Sequence, residues 1–215
     1  MAKQSMIVGK PALIVVDIQQ DGAMPVEAAG IPRMDGFEQL VTGAERLVAA
    51  ARQATIPVIF FQEAHRRSGV DFGRELDGTE GPHCIEGEEG TALWPTLLPQ
   101  ESDYFIAKRR YSCFFGTDLE ILLKGLGVST VVLIGGLTDV CIHYTFADAH
   151  QGDYYARVVE DCVLGSNETR HAASLDAMEY LQAGARRTSN EIISGFEEFG
   201  IKRSSSDSKN LMEVA

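Results

Sequence analysis

Short apolar runs, mostly β-branched, alternate along this chain with longer stretches in which apolar positions recur every three or four residues. The first kind stands at 13–17 (LIVVD), 57–61 (PVIFF), 104–107 and 130–134 (TVVLI), with further candidates at 157–160 and 186–188. Near-continuous apolar runs of this length predict strands covered on both faces. The second kind runs over 37–54, where Leu40, Val41, Ala44, Leu47, Val48 and Ala51 share one helical stripe. Further helices are expected over 119–126, closed by Gly127, over 139–150, and over 168–183, stopped by Gly184. Strand and helix in alternation predict an α/β fold. The expected form is a three-layer doubly wound sandwich around a mostly parallel six-stranded sheet.

Residues 63–102 break the rhythm, being rich in Gly, Glu and His with weak periodicity. An insertion of that length in a compact domain predicts a pocket wall or lid. The organisation expected is an N-terminal segment over 1–10, one domain over 11–201, and a polar, flexible tail over 202–215.

Composition narrows the function. The chain has 215 residues, with 31 acidic against 19 basic and a net charge of −12. Phosphate backbones need clustered Lys and Arg, so nucleic acid is not an expected partner. No apolar run approaches the roughly 20 residues that span a bilayer, and the first ten residues lack the apolar core of a signal peptide. The expectation is a cytoplasmic protein with no membrane partner. The four cysteines, Cys84, Cys113, Cys141 and Cys162, form no CxxC pair, so no zinc knuckle or thioredoxin motif is written. In a reducing compartment they are free thiols, and a free thiol is a potential nucleophile. There is no GxSxG elbow, Walker A loop or HExxH.

In parallel sheets, sites form beyond the carboxyl ends of the strands. Asp17 ends the first run, Glu63 and His65 follow the second, Lys108, Arg109 and Arg110 end the third, and Gly135–Cys141 (GGLTDVC) follows the fourth. Asp17 serves either as a structural cap or salt-bridge partner, or as a functional carboxylate. Lys108 is ordinarily a solvated amine, but facing a buried Asp it would stabilise the charged form of both. Cys141 is either an inert buried thiol, as Cys113 and Cys162 are expected to be, or a nucleophile whose pKa is lowered at a helix start. Together Asp17, Lys108 and Cys141 make a nucleophile, a base and an orienting cation. The backbone N–H groups of Cys141 and Leu137 are placed to receive an oxyanion. His143 is two residues from Cys141 on the same helix and faces elsewhere.

The segments LIVVDIQ, KRRYSCFFGTDLEILLKGLGVSTVVLIGG and LTDVCIHYTFADAHQGDYYARVVEDC resemble the isochorismatase-like cysteine hydrolases over about residues 10 to 190. The resemblance implies a doubly wound α/β fold, a catalytic triad of Asp17, Lys108 and Cys141, and a cis peptide between Gly136 and Leu137 that turns the Leu137 N–H toward the oxyanion. Within that family, isochorismatases proper cleave a vinyl ether and lack the cysteine, so Cys141 favours amide hydrolysis. Nicotinamidases carry Asp-x-His and a later His as metal ligands. Here Glu63 replaces the Asp, followed by His65 and His83. The segment EAHRRSGVDFGRELDG, with HCIEG after it, is similar to carbamoylsarcosine and biuret amidohydrolases.

The expected function is therefore cysteine-dependent hydrolysis of a small amide or N-carbamoyl compound, releasing ammonia through a thioester and needing no cofactor. His65, Arg110 and Thr138 are the candidate substrate contacts, and Phe72 and Trp94 the apolar walls. An anionic substrate favours Arg110. The alternatives are a nicotinamidase-like enzyme with a metal on Glu63, His65 and His83, and a non-catalytic binding protein on the same fold. The resemblance also implies a homodimer or homotetramer.

Overall fold

A computed structural model describes the backbone of residues 5–213 and the side chains of 5–203 and 205. Six strands form one sheet: β1 (Lys10–Val16), β2 (Val58–Glu63), β3 (Tyr104–Lys108), β4 (Val128–Gly136), β5 (Tyr155–Leu164) and β6 (Arg186–Arg187). All neighbouring strands run parallel, in the order β3-β2-β1-β4-β5-β6. The helices are α1 (Val26–Ala29), α2 (Phe37–Gln53), α3 (Leu119–Leu126), α4 (His143–Gln151), α5 (Glu168–Leu181) and α6 (Ser189–Glu213).

Period-two alternation of the apolar strands builds two cores, one on each face. Ala12, Ile14 and Val16 of β1 point with Val131 and Leu133 of β4 toward α3, α4 and α5, against Leu123, Phe146 and Met178. Leu13 and Val15 point with Val132 and Ile134 toward α2 and α6, against Leu47, Val48 and Phe196. Fully burying a side chain such as Phe60 or Phe146 contributes about 1.5–3 kcal/mol, and both are wholly inaccessible.

The strand order reverses between β1 and β4, and that switch point opens the crevice in which doubly wound proteins bind ligands. Gly135 in β4 holds the two strands close. Its φ is +117°, and a Cβ there would lie 1.9 Å from the Val16 carbonyl oxygen. Any side chain would push away the strand end that carries Asp17.

Two expectations change. The helix after β4 does not begin as an ordinary α-helix: Thr138–Ile142 form a π-helical turn, with α4 following from His143. The tail expected from 202 continues α6 in helical backbone as far as Glu213, since that segment contains no Gly or Pro to stop it. Residues 214–215 and 1–4 lie outside the described residues. The insertion contains two short 3₁₀ turns, Glu75–Asp77 and Glu89–Thr91. Among the described residues no helix is long and apolar enough to cross a membrane.

Candidate active site

Register brings the site together. β2 and β3 end side by side, with Glu63 paired to Lys108. Asp17 leaves β1 in a left-handed conformation, φ 52°, which Asp tolerates better than most residues. The Lys108 side chain is completely buried, and its ammonium has three partners. Nζ lies 2.7 Å from Asp17 Oδ2, 2.7 Å from Glu63 Oε2 and 3.4 Å from Cys141 Sγ. The sulfur is 3.5 Å from Glu63 Oε2, and donor atoms of Asp17, Glu63 and Cys141 all lie within 4.8 Å of one another. The three residues singled out from the sequence do meet, and they meet around a fourth, Glu63. The peptide between Gly136 and Leu137 is cis.

One ammonium serves two carboxylates, and their environments push the two acids apart. Burial drives Asp17 up to about 6, against the pull of Lys108 and with the Glu63 charge adding to the rise. Glu63 is held well below the usual carboxylate range: burial would raise it, but Lys108 and hydrogen bonds from His65, His83 and Lys108 prevail. Glu63 thus stays the permanent counter-ion, and Asp17 is the acid that exchanges a proton near neutrality. Split pKa values of this kind assign acid and base roles. Gln19 fixes Glu63 from behind. Its Nε2 donates to the Glu63 carbonyl at 3.1 Å and to the Thr91 carbonyl at 2.9 Å, and its Oε1 accepts from the Glu63 N–H at 2.9 Å.

The thiol does not have the lowered pKa expected of a nucleophile at a helix start. Burial pushes Cys141 well above its ordinary range; Lys108 lowers it, but Glu63 and Asp17 raise it. The resting sulfur therefore carries its proton. No ordinary helix start lowers it, and carboxylates around it outnumber the ammonium.

A cavity of about 750 Å³, mouth included, opens above these groups and is lined by Asp17, Glu63, Gly136, Leu137 and Cys141 at the site and by Ile18, Phe37, Leu40 and Leu164 along its sides. The five expected substrate contacts are not in its wall. His65 is fully buried behind it, with Nε2 3.2 Å from Glu63 Oε1 and 3.1 Å from Glu75 Oε2. Phe72 stacks on that imidazole at 4.2 Å and supports it. Trp94 packs edge-on against Phe37 at 5.2 Å, one layer removed from the cavity. Thr138 is buried and bonds His171 Nδ1 through its hydroxyl at 2.9 Å. Arg110 is turned aside, its Nη1 donating to the carbonyls of Asp71 and Arg109. Arg109 also points away, pairing with Glu86. In each case a protein partner has already claimed the group. The residues that sequence reasoning missed are Glu75, Gln19 and the Glu63–Lys108 pair. Only Gln19 left a trace, two positions after Asp17 in LIVVDIQ.

Beside these groups, Glu63, His65, Glu75 and His83 each offer one donor atom, all within 4.8 Å of one another and all buried. His83 Nδ1 donates to the Gly81 carbonyl at 2.7 Å, which orients the ring and leaves Nε2 toward the cluster. Glu75 Oε1 is buried without a hydrogen-bond partner. Two oriented imidazoles and two carboxylates, one with an unused oxygen, fit a divalent cation of the zinc or manganese kind. Without one, His65 acts as the cation itself: burial opposes its charge, but Glu63 and Glu75 push it up to about 9.

Fold and site define a doubly wound α/β hydrolase with a buried cysteine at the switch point. The chain matches the Isochorismatase domain over residues 11–191 and belongs to that family. A ureidoacrylate amidohydrolase, RutB, from Yersinia enterocolitica is 32% identical over 171 residues, covering 70% of this chain and 73% of that protein. A probable inactive nicotinamidase from Arabidopsis thaliana is 34% identical over 171 residues, covering 76% of this chain and 85% of the relative. Among solved structures, an N-carbamoylsarcosine amidase from Thermoplasma acidophilum superposes with a TM-score of 0.70 at 27% identity, covering 84% of this chain and 97% of that one.

Proposed function

We propose that the protein hydrolyses the C–N bond of a small amide or of an N-carbamoyl or ureido compound, with Cys141 as nucleophile. The observation that supports this most is the buried ammonium of Lys108, 2.7 Å from Asp17 and 3.4 Å from the Cys141 sulfur, behind a cavity that Asp17 and Cys141 line. The names of the relatives point the same way: ureidoacrylate amidohydrolase and N-carbamoylsarcosine amidase.

The proton inventory follows from the charges. Cys141 rests as a thiol and Asp17 as a carboxylate poised near neutrality. As the sulfur attacks the amide carbon, its proton passes to Asp17. The carbonyl oxygen becomes an oxyanion, which the N–H groups of Leu137 and Cys141 receive. Asp17 then returns the proton to the departing nitrogen, ammonia leaves, and an acyl thioester remains. Water attacks the thioester, giving its proton to Asp17; collapse expels the sulfur, which takes that proton back. Lys108 keeps Asp17 from lifting further toward the neutral form, and Glu63 balances the lysine throughout.

A second reading is favoured by the four-donor cluster. Glu63, His65, Glu75 and His83 would hold a divalent cation, which when bound supplies a Lewis acid beside the cavity. Metal content and nicotinamide deamidation, measured on the same preparation, separate the two readings. Activity that persists after exhaustive chelation and favours ureido compounds supports the first. Tightly held metal with nicotinamide turnover supports the second. Ammonia release across urea derivatives, nicotinamide, maleamate and oxamate tests the hydrolysis itself; silence on every amide overturns it.

A further inference from the structure

The cavity wall contains one strong cation that makes no ion pair among the described residues. Arg33, in the loop between α1 and α2, is the only Arg or Lys among the described residues lining it. A guanidinium has five N–H donors. Arg33 spends one on the Met24 carbonyl, through Nη2 at 2.5 Å, and its Nε is buried with no partner. It makes no ion pair with any described residue, although four acids line the same cavity. Three of those acids are already engaged. Asp17 and Glu63 hold Lys108. Asp21 accepts the Cys84 thiol at 3.3 Å. Glu80 forms no ion pair with Arg33; burial raises its pKa and the nearby His83 lowers it. The backbone behind the guanidinium is anchored, since the Met34 N–H donates to the Gly165 carbonyl at 2.9 Å.

Leaving the buried Nε–H without an acceptor is costly, and the fork of a guanidinium matches a carboxylate. The apolar sides of the cavity strengthen any charge met there. We propose that Arg33 is a specificity-determining residue that receives a carboxylate of the substrate, so that the preferred substrates are short amides or ureido compounds carrying a carboxylate away from the scissile bond. This rests on the hydrolytic reading above. It moves anion recognition from Arg110, which is turned away, to a residue with no periodic signal around it.

The experiment uses matched pairs that differ in the carboxylate: oxamate against oxamide, maleamate against maleamide, and ureidoacetate against methylurea. The wild-type protein should favour the acid of each pair in kcat/KM. Arg33→Gln should lower the acid-to-neutral ratio by about 100-fold, chiefly through KM, as expected for a lost charge-assisted contact. Arg33→Lys should restore part of it, having the charge without the fork. A ratio unchanged by Arg33→Gln, in protein whose melting temperature is also unchanged, overturns the inference and leaves hydrolysis standing. Binding in the Cys141→Ser background separates the two claims. If wild type releases no ammonia from any pair while oxamate, maleamate or ureidoacetate still raises the melting temperature in an Arg33-dependent way, hydrolysis fails and anion recognition by Arg33 holds. If no acid binds that background in preference to its neutral partner, Arg33 has no such role.

Discussion

Two of the wholly buried cations among the described residues, Arg157 and Lys108, are answered in opposite ways. Arg157, in β5, is surrounded by neutral acceptors. Its guanidinium donates to the carbonyls of Ser5, Met6 and Ala156 and to Gln182 Oε1, at 2.6–3.0 Å. Burial pushes it down to about 10, and the nearby Arg187 adds to that. It ties the segment before β1 to the sheet. Lys108 is answered by two carboxylates and a thiol, all able to exchange protons, and they raise its pKa well above the ordinary value although burial opposes this. A buried cation among carbonyls is a clamp. One among titratable groups sets protonation states, and so carries chemistry.

Removing each cation separates the two roles. Lys108→Met should abolish ammonia release, by about 1,000-fold or more, and cost about 3–5 kcal/mol of stability, because two buried carboxylates lose their common partner. Urea denaturation and ammonia assays read both. Arg157→Met should cost about 2–4 kcal/mol through the orphaned carbonyls, while the folded fraction keeps near-normal kcat. Equal loss of activity from both variants would dissolve the distinction.

The two carboxylates sharpen it. With Asp17 raised to about 6, kcat/KM should rise with pH through about 6 and level above it. Asp17→Asn should remove that limb along with about 1,000-fold of rate. Its effect on stability has the opposite sign. A folded pKa above the ordinary 3.8 favours the neutral acid, so stability falls as pH rises through about 6. Asp17→Asn should therefore melt above wild type at pH 8, with the gap closing toward pH 4. A gap that instead widens on acidification would contradict the assignment of Asp17 as the raised acid.

Asp17, Lys108 and Cys141 were legible in the sequence because each follows an apolar run whose end can be read directly, and strand ends are where parallel sheets place chemistry. The pairing of Glu63 with Lys108 was not, because it depends on which strands neighbour and in what register. The protonated thiol was hidden for a similar reason: it follows from counting charges in space. His65, Phe72, Trp94, Thr138 and Arg110 looked available in the sequence because their partners are distant or irregular in the chain. Glu75 sits twelve positions beyond Glu63 in an aperiodic loop, yet both reach His65.

The central claim is that the sulfur of residue 141 performs the hydrolysis. Its most direct test is ammonia release by wild type and Cys141→Ala on the same amide panel, with mass spectrometry of the Cys141 peptide during turnover of the slowest good substrate. The expected result is release by wild type alone and an acyl adduct on that peptide. Ammonia release undiminished in Cys141→Ala would contradict it.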